Sequence, residues 1–114
     1  MVARRARVVV VTRPYVVLHH AGYGEAHFDL MLAVDENGPL LTWRLFEWPP
    51  IAATEYTPLP PHRRHYLTYE GDVSNDRGHV RRVANGVYES RQHGASDGVF
   101  EVDIAGHRIR LPLP

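Results

Sequence analysis

The sequence predicts a mainly β fold, a small antiparallel β-barrel with little helix. Three observations predict it: short β-branched and aromatic runs recur along the chain, turn signals separate neighbouring runs, and prolines interrupt the one long stretch without strand character. Closing such a sheet hides its edges, which favours a barrel or a sandwich.

Val8–Val11 and Tyr15–Leu18 read as strand, turn, strand, split at Arg13-Pro14, with His19 and His20 where the second strand ends before the Gly22/Gly24 loop. From His27 to Ala33 the side chains alternate, Phe28, Leu30 and Leu32 to one face and His27, Asp29 and Met31 to the other. Asp35-Glu36-Asn37-Gly38 is a tight-turn signal, because Asn and Gly tolerate positive φ, and Leu40–Phe46 returns as the partner strand. Trp48 to Pro61 holds five of the nine prolines and reads as an ordered crossover loop with at most one helical turn around Ala52–Tyr56. Strand character resumes over His65–Glu70. Gly78–Val83 and Val87–Ser90 flank an Asn85-Gly86 turn, and Gly98–Ile104 pairs with Arg108–Leu113 across Ala105-Gly106. Seven or eight short strands result.

At 114 residues the chain has the size of one domain, spanning 1–114. Thirteen basic and thirteen acidic residues cancel, so any polyanion site must be local rather than a property of the whole surface. Cysteine is absent, which excludes disulfides and thiolate metal sites and leaves imidazoles and carboxylates as metal ligands. The opening MVARRARVVVVTRPYVVL has a basic front and an apolar middle, but Arg13 and Pro14 split the run and no small-residue cleavage site follows. A cytoplasmic protein is the expectation. No stretch approaches the ~20 apolar residues that span a bilayer, and no membrane partner is expected.

His19, His20, His27 and Asp29 are the densest chemistry-bearing group. His27-x-Asp29 is the spacing at which a strand points two ligands the same way, suited to Mn²⁺, Fe²⁺ or Zn²⁺. A third ligand from His20 or His19 across the glycine loop completes a two-histidine, one-carboxylate set; the alternative is a polar pair on the solvent face of a half-buried strand. His62-Arg63-Arg64-His65-Tyr66 concentrates cations where a phosphate could be gripped, or forms a solvated basic turn. Arg77, His79, Arg81 and Arg82 form a second basic run of which at most half can serve one site. Glu70 is either a group that orients a ligand histidine or a surface acid. Trp43 and Trp48 could stack on bases, as in single-strand binders, but Trp43, in Leu41-x-Trp43-x-Leu45 alternation, reads first as core.

Taken together, HHAGYGEAHFDLML, LLTWRL, HRRHYLTYEG and GVYE, over roughly residues 15–90, resemble the 3′-phosphoesterase domain that accompanies bacterial ATP-dependent DNA ligase D and also occurs alone. The resemblance implies a divalent metal, usually Mn²⁺ with Zn²⁺ or Co²⁺ as substitutes, bound by His27, Asp29 and an upstream histidine. His20 matches that histidine best, and His19 is the alternative. It further implies that His62 contacts the substrate phosphate and that Tyr66 assists removal of a terminal phosphate. The reaction implied is trimming of a 3′ ribonucleotide or 3′ phosphate at a nucleic-acid end, with a DNA ligase or repair polymerase as partner.

One departure stands out. Where the family's H-x-D-x-R places an arginine that grips the scissile phosphate, this chain has Met31, whose thioether cannot replace a cation. Arg44, on the neighbouring strand, or Arg64 is the candidate substitute. Without one, the domain becomes a reader that binds nucleic-acid ends or a repair partner without hydrolysis. H-x-D with a distant histidine also resembles the iron site of 2-oxoglutarate dioxygenases, with His79, His93 or His107 as third ligand.

Overall fold

One long strand organises the chain. In this computed structural model, which describes residues 9–92 and 98–114, β1 (Val9–Ala21) lies between β2 (His27–Ala33) and β6 (His79–Gln92). Outward from β2 come β3 (Leu40–Leu45) and β4 (Thr57–His62); outward from β6 come β7 (Val99–Ile104) and β8 (His107–Pro112). A two-residue strand, β5 (Gly71–Asp72), pairs with the start of β6, and every pairing is antiparallel. The sheet curls into a half-barrel. Trp43 on β3 donates its indole N–H to the carbonyl of Pro112 on β8, 2.7 Å away, joining strands near opposite ends of the sheet order. The expected antiparallel, barrel-like β architecture is thus present, with one 3-10 turn over Arg64–Leu67 as its helical content among the described residues.

Both faces of the central strands are buried. Inside the curl, Val17, Leu30, Leu32, Trp43, Leu45, Tyr88, Val102, Ile104, Ile109 and Leu111 form the main core. Tyr88 donates its hydroxyl to the carbonyl of Ala33 at 2.6 Å, and burial pushes its pKa up to about 12. On the other face Val16, Leu18, Met31, Ala33, Leu40 and Val80 are covered by Tyr66 from the 3-10 turn. Alternation along β2 therefore separates two buried faces, not core from solvent.

Several local expectations change. β1 runs without interruption through Arg13-Pro14: β2 pairs with it only from Tyr15 onward, so at Pro14 one side of the strand has no neighbour that requires an N–H. Val8 lies outside the described residues. β6 also runs straight through Asn85-Gly86; Gly86 (φ 150°) lies opposite Tyr15, whose ring would be 3.4 Å from a Cβ there. Cross-strand pairing with β1 has overridden the local turn signal. Between Val17 and Leu18 the register jumps from Ala84 to Arg82, leaving Val83 as a bulge that adds twist where the sheet curls.

The proline-rich segment is only half loop. Thr57–His62 pairs with β3 as an edge strand, which tolerates its prolines because its outer side lacks a partner in the sheet and because the register shifts opposite Pro60-Pro61, between Leu40 and Thr42. Residues 65–70, expected as a strand, begin in the 3-10 turn instead, because the chain must fold back to lay Tyr66 over the second core. The β2–β3 turn forms where expected, yet neither Asn37 nor Gly38 has positive φ. The Asp35 carboxylate closes it by accepting the N–H groups of Asn37 and Gly38, while Arg64 donates to the carbonyls of Asp35 and Gly38 at 3.1 and 3.2 Å. At the β7–β8 hairpin, Ala105 and Gly106 do adopt positive φ, 49° and 82°. No helix among the described residues is long and apolar enough to cross a membrane.

The backbone N–H groups of Gly38 and Asn37, with Arg64 nearby, hold the Asp35 carboxyl below its ordinary value. A carboxyl lowered on folding stabilises above its unfolded pKa of about 3.9. That contribution is lost as pH falls through the lower folded value. Asp35→Ala is therefore expected to be less stable than wild type at neutral pH, with the gap closing in acid, as measured by urea denaturation over a pH series.

Candidate metal centre

The site lies at the polar end of the second buried face. In the β1–β2 ladder His20 pairs with His27 and Leu18 with Asp29, and in the β2–β3 ladder Asp29 pairs with Arg44, so these side chains project to one side. Below them the same face is apolar, with Leu18, Met31 and Leu40. His27 and Asp29 are only 5% and 3% exposed, which excludes the solvent-face alternative for the pair.

Three ligand-type atoms converge. His27 Nε2 is 3.4 Å from Asp29 Oδ1, and His20 Nδ1 is 3.7 Å from Asp29 Oδ2. One such atom from each of the three residues lies within 4.8 Å of the others. Hydrogen bonds on the far side of each ring fix its tautomer. His20 Nε2 is 2.7 Å from the carbonyl of Arg77, and His27 Nδ1 is 2.9 Å from the carbonyl of Glu25. A carbonyl oxygen only accepts, so those nitrogens carry the protons, and in the neutral rings His20 Nδ1 and His27 Nε2 present lone pairs.

With the rings neutral, the Asp29 carboxylate faces two imidazole lone pairs. His27 Nε2 and Asp29 Oδ1 are buried without a hydrogen-bond partner among the described residues. A separation of 3.4 Å is long for a shared proton, and each unsatisfied buried polar atom costs about 1–3 kcal/mol. Ligands around one metal at about 2.0–2.2 Å stand roughly 3–4 Å apart, so a divalent cation fits both the chemistry and the spacing.

Beside the three residues opens a cavity of about 760 Å³, whose lining includes Arg44, His62, Arg63, Tyr66, Arg77 and Met31. Arg44 keeps its Nε buried and without a hydrogen-bond partner among the described residues. His62 donates Nδ1–H to the carbonyl of Pro60 at 2.9 Å, leaving Nε2 to meet a ligand. Arg63 lies over the Tyr66 ring, 6.0 Å from its centroid. Arg77 is braced by Ser74, with Nε on its carbonyl at 2.8 Å and Nη2 on its hydroxyl at 3.2 Å.

Other sequence candidates fall elsewhere. His19 projects to the opposite face, its ring 5.1 Å from Phe28. Arg64 clamps the β2–β3 turn and does not line the cavity, because its guanidinium is committed to Asp35 and Gly38. Glu70 pairs with Arg82 at 3.5 Å on the surface and orients no ligand histidine. His79 lines a separate hollow with Asp72 and Asp76, His107 starts β8, and neither joins the cluster; His93 lies outside the described residues.

Arg77, the first residue of the second basic run, takes a role that its position in that run does not reveal. Its basic run was a visible signal, but the contact that matters joins a turn carbonyl to a ring 57 residues away. Gly78 makes that contact possible: at φ 78°, a methyl group there would overlap the carbonyl oxygen of Ala21. Gly78→Ala is expected to push the turn off β1 and weaken Mn²⁺ binding roughly tenfold to a hundredfold, the usual scale for disturbing a ligand's supporting bond. Calorimetric titration with Mn²⁺ checks this; unchanged affinity would show that the Arg77 carbonyl does not orient His20.

No family model matches this sequence, and no curated protein matches it. The chemistry of the site is therefore read from its own atoms.

Proposed function

We propose that this protein is a divalent-metal-dependent phosphoesterase that processes nucleic-acid 3′ ends. The observation that carries the reading is the buried, unpartnered pair His27 Nε2 and Asp29 Oδ1 at the wall of a cavity lined by Arg44, Arg63 and Arg77. Lone pairs call for a cation, and the guanidinium groups call for an anion that shares it. A phosphate ester meets both demands. The motif order His20, His27-x-Asp29, Trp43, His62-x-x-x-Tyr66 resembles that of the ligase-associated 3′-phosphoesterase domain, which supports the 3′ end as substrate.

His20, His27 and Asp29 would hold the metal, with Mn²⁺ the leading choice and Zn²⁺ or Co²⁺ as substitutes. When bound, it supplies Lewis acidity to the phosphate and makes hydroxide accessible as a nucleophile near neutral pH. Arg44, opposite Asp29 in the ladder, donates to the phosphate oxygens in place of the arginine that Met31 displaces. His62, when protonated on both nitrogens, keeps Nδ1–H on Pro60 and gives its Nε2 proton to the leaving oxygen. Tyr66 borders the cavity and assists with a terminal phosphate. The free 3′ hydroxyl that results suits a DNA ligase or repair polymerase as partner.

Met31, 1% exposed on the cavity wall, favours a second reading, in which ends are bound but not cleaved. A labelled primer with one 3′ ribonucleotide, incubated with Mn²⁺, separates the two. Wild type is expected to shorten it and His27→Ala to lose the product. Arg44→Ala is expected to be slower by roughly tenfold to a hundredfold, the equivalent of about 1.5–3 kcal/mol for one charge-assisted contact. Tight end binding without cleavage would replace the enzyme with the reader, and 2-oxoglutarate-dependent oxygen uptake would overturn both.

A further inference from the structure

The mouth of the arginine-lined cavity carries two aromatic rings left largely open to solvent. Tyr23, in the loop joining β1 to β2, is 56% exposed, and Phe46, the residue after β3, is 51% exposed; both line the cavity. Single exposed apolar side chains are ordinary. Here, though, the other large apolar side chains exposed to this degree among the described residues are aliphatic, and the two aromatics share one cavity with Arg44, Arg63 and Arg77.

Strand alternation explains where Phe46 stands. Trp43 and Leu45 are fully buried in the main core, which puts Arg44 and Phe46 on the opposite face. Arg44 and Phe46 line the same cavity from neighbouring positions at the end of β3, a juxtaposition that suits a ligand with a phosphate at one end and a flat, uncharged ring at the other. Tyr23 approaches the same mouth from the glycine-flanked loop, where Gly22 and Gly24 take φ 81° and 68°.

From this juxtaposition we infer that Tyr23 and Phe46 form a stacking platform for an unpaired nucleobase. The substrate is then a nucleotide at a single-stranded or frayed end, not a phosphate on a non-aromatic alcohol. Stacking on protein aromatics requires a base that has left its duplex neighbours, and it tolerates any sequence because every base has a π face. The inference rests on the phosphoesterase reading for the position of the phosphate.

The test uses two short oligodeoxynucleotides with 3′ phosphates, one ending in 2-aminopurine and one in an abasic residue, bound to the full chain in EDTA. Wild type is expected to quench the 2-aminopurine and to bind that strand roughly tenfold more tightly than the abasic one. Phe46→Leu and Tyr23→Leu should each shrink the ratio toward one, whereas Phe46→Trp should retain it. Equal affinity of wild type for both strands, or undiminished fluorescence of the bound base, overturns the platform without recourse to any variant. Adding Mn²⁺ then separates the two ideas. Cleavage of both strands without preference overturns the platform and leaves the phosphoesterase standing. Base-dependent binding with no cleavage supports the platform and overturns the phosphoesterase.

Discussion

A carboxylate facing the lone pairs of two neutral imidazoles is the constraint around which this end of the molecule is built. It arises because β2 is buried on both faces, so His27 and Asp29 cannot turn to water for relief. Burial alone would favour apolar residues there. Instead, the neighbouring backbone is arranged to keep both rings in the tautomer that aims a lone pair inward: the Glu25 carbonyl for His27 and the Arg77 carbonyl for His20. Those supports come from different elements, the β1–β2 loop and the turn before β6. The site therefore depends on the ladder that sets β1 between β2 and β6.

The basic residues divide by role in a way their sequence clustering hides. Adjacent Arg63 and Arg64 part company: one lies over Tyr66 at the cavity, and the other is spent on the carbonyls of the β2–β3 turn. Arg77 both borders the cavity and orients His20 through its carbonyl, while Ser74 holds its guanidinium. Arg44 reaches the same cavity by register, being the cross-strand partner of Asp29. A net charge of zero conceals this local excess of cations.

Period-two alternation made the centre of the site legible, since it places His27 beside Asp29 and Arg44 on the face opposite Trp43 without reference to any other part of the chain. Hairpins were legible where turn chemistry sits between strands, as at Ala105-Gly106. The same cues misled where long-range pairing outweighed them: Arg13-Pro14 and Asn85-Gly86 look like turns but lie within β1 and β6, which hold each other extended across the bulge. That ladder was invisible because each strand reads as two fragments. Burial of both β2 faces was hidden for a related reason. The cover over Met31 and Leu40 includes Tyr66, carried by a short 3-10 turn that strand-like composition disguised.

The half-barrel leaves β4 as an edge, and an unpaired strand edge is a template on which another chain can add and propagate. Pro58, Pro60 and Pro61 occupy that edge and have no amide hydrogen to offer. The residues that make the segment look unstructured thus strip this edge of donors that an added strand would need.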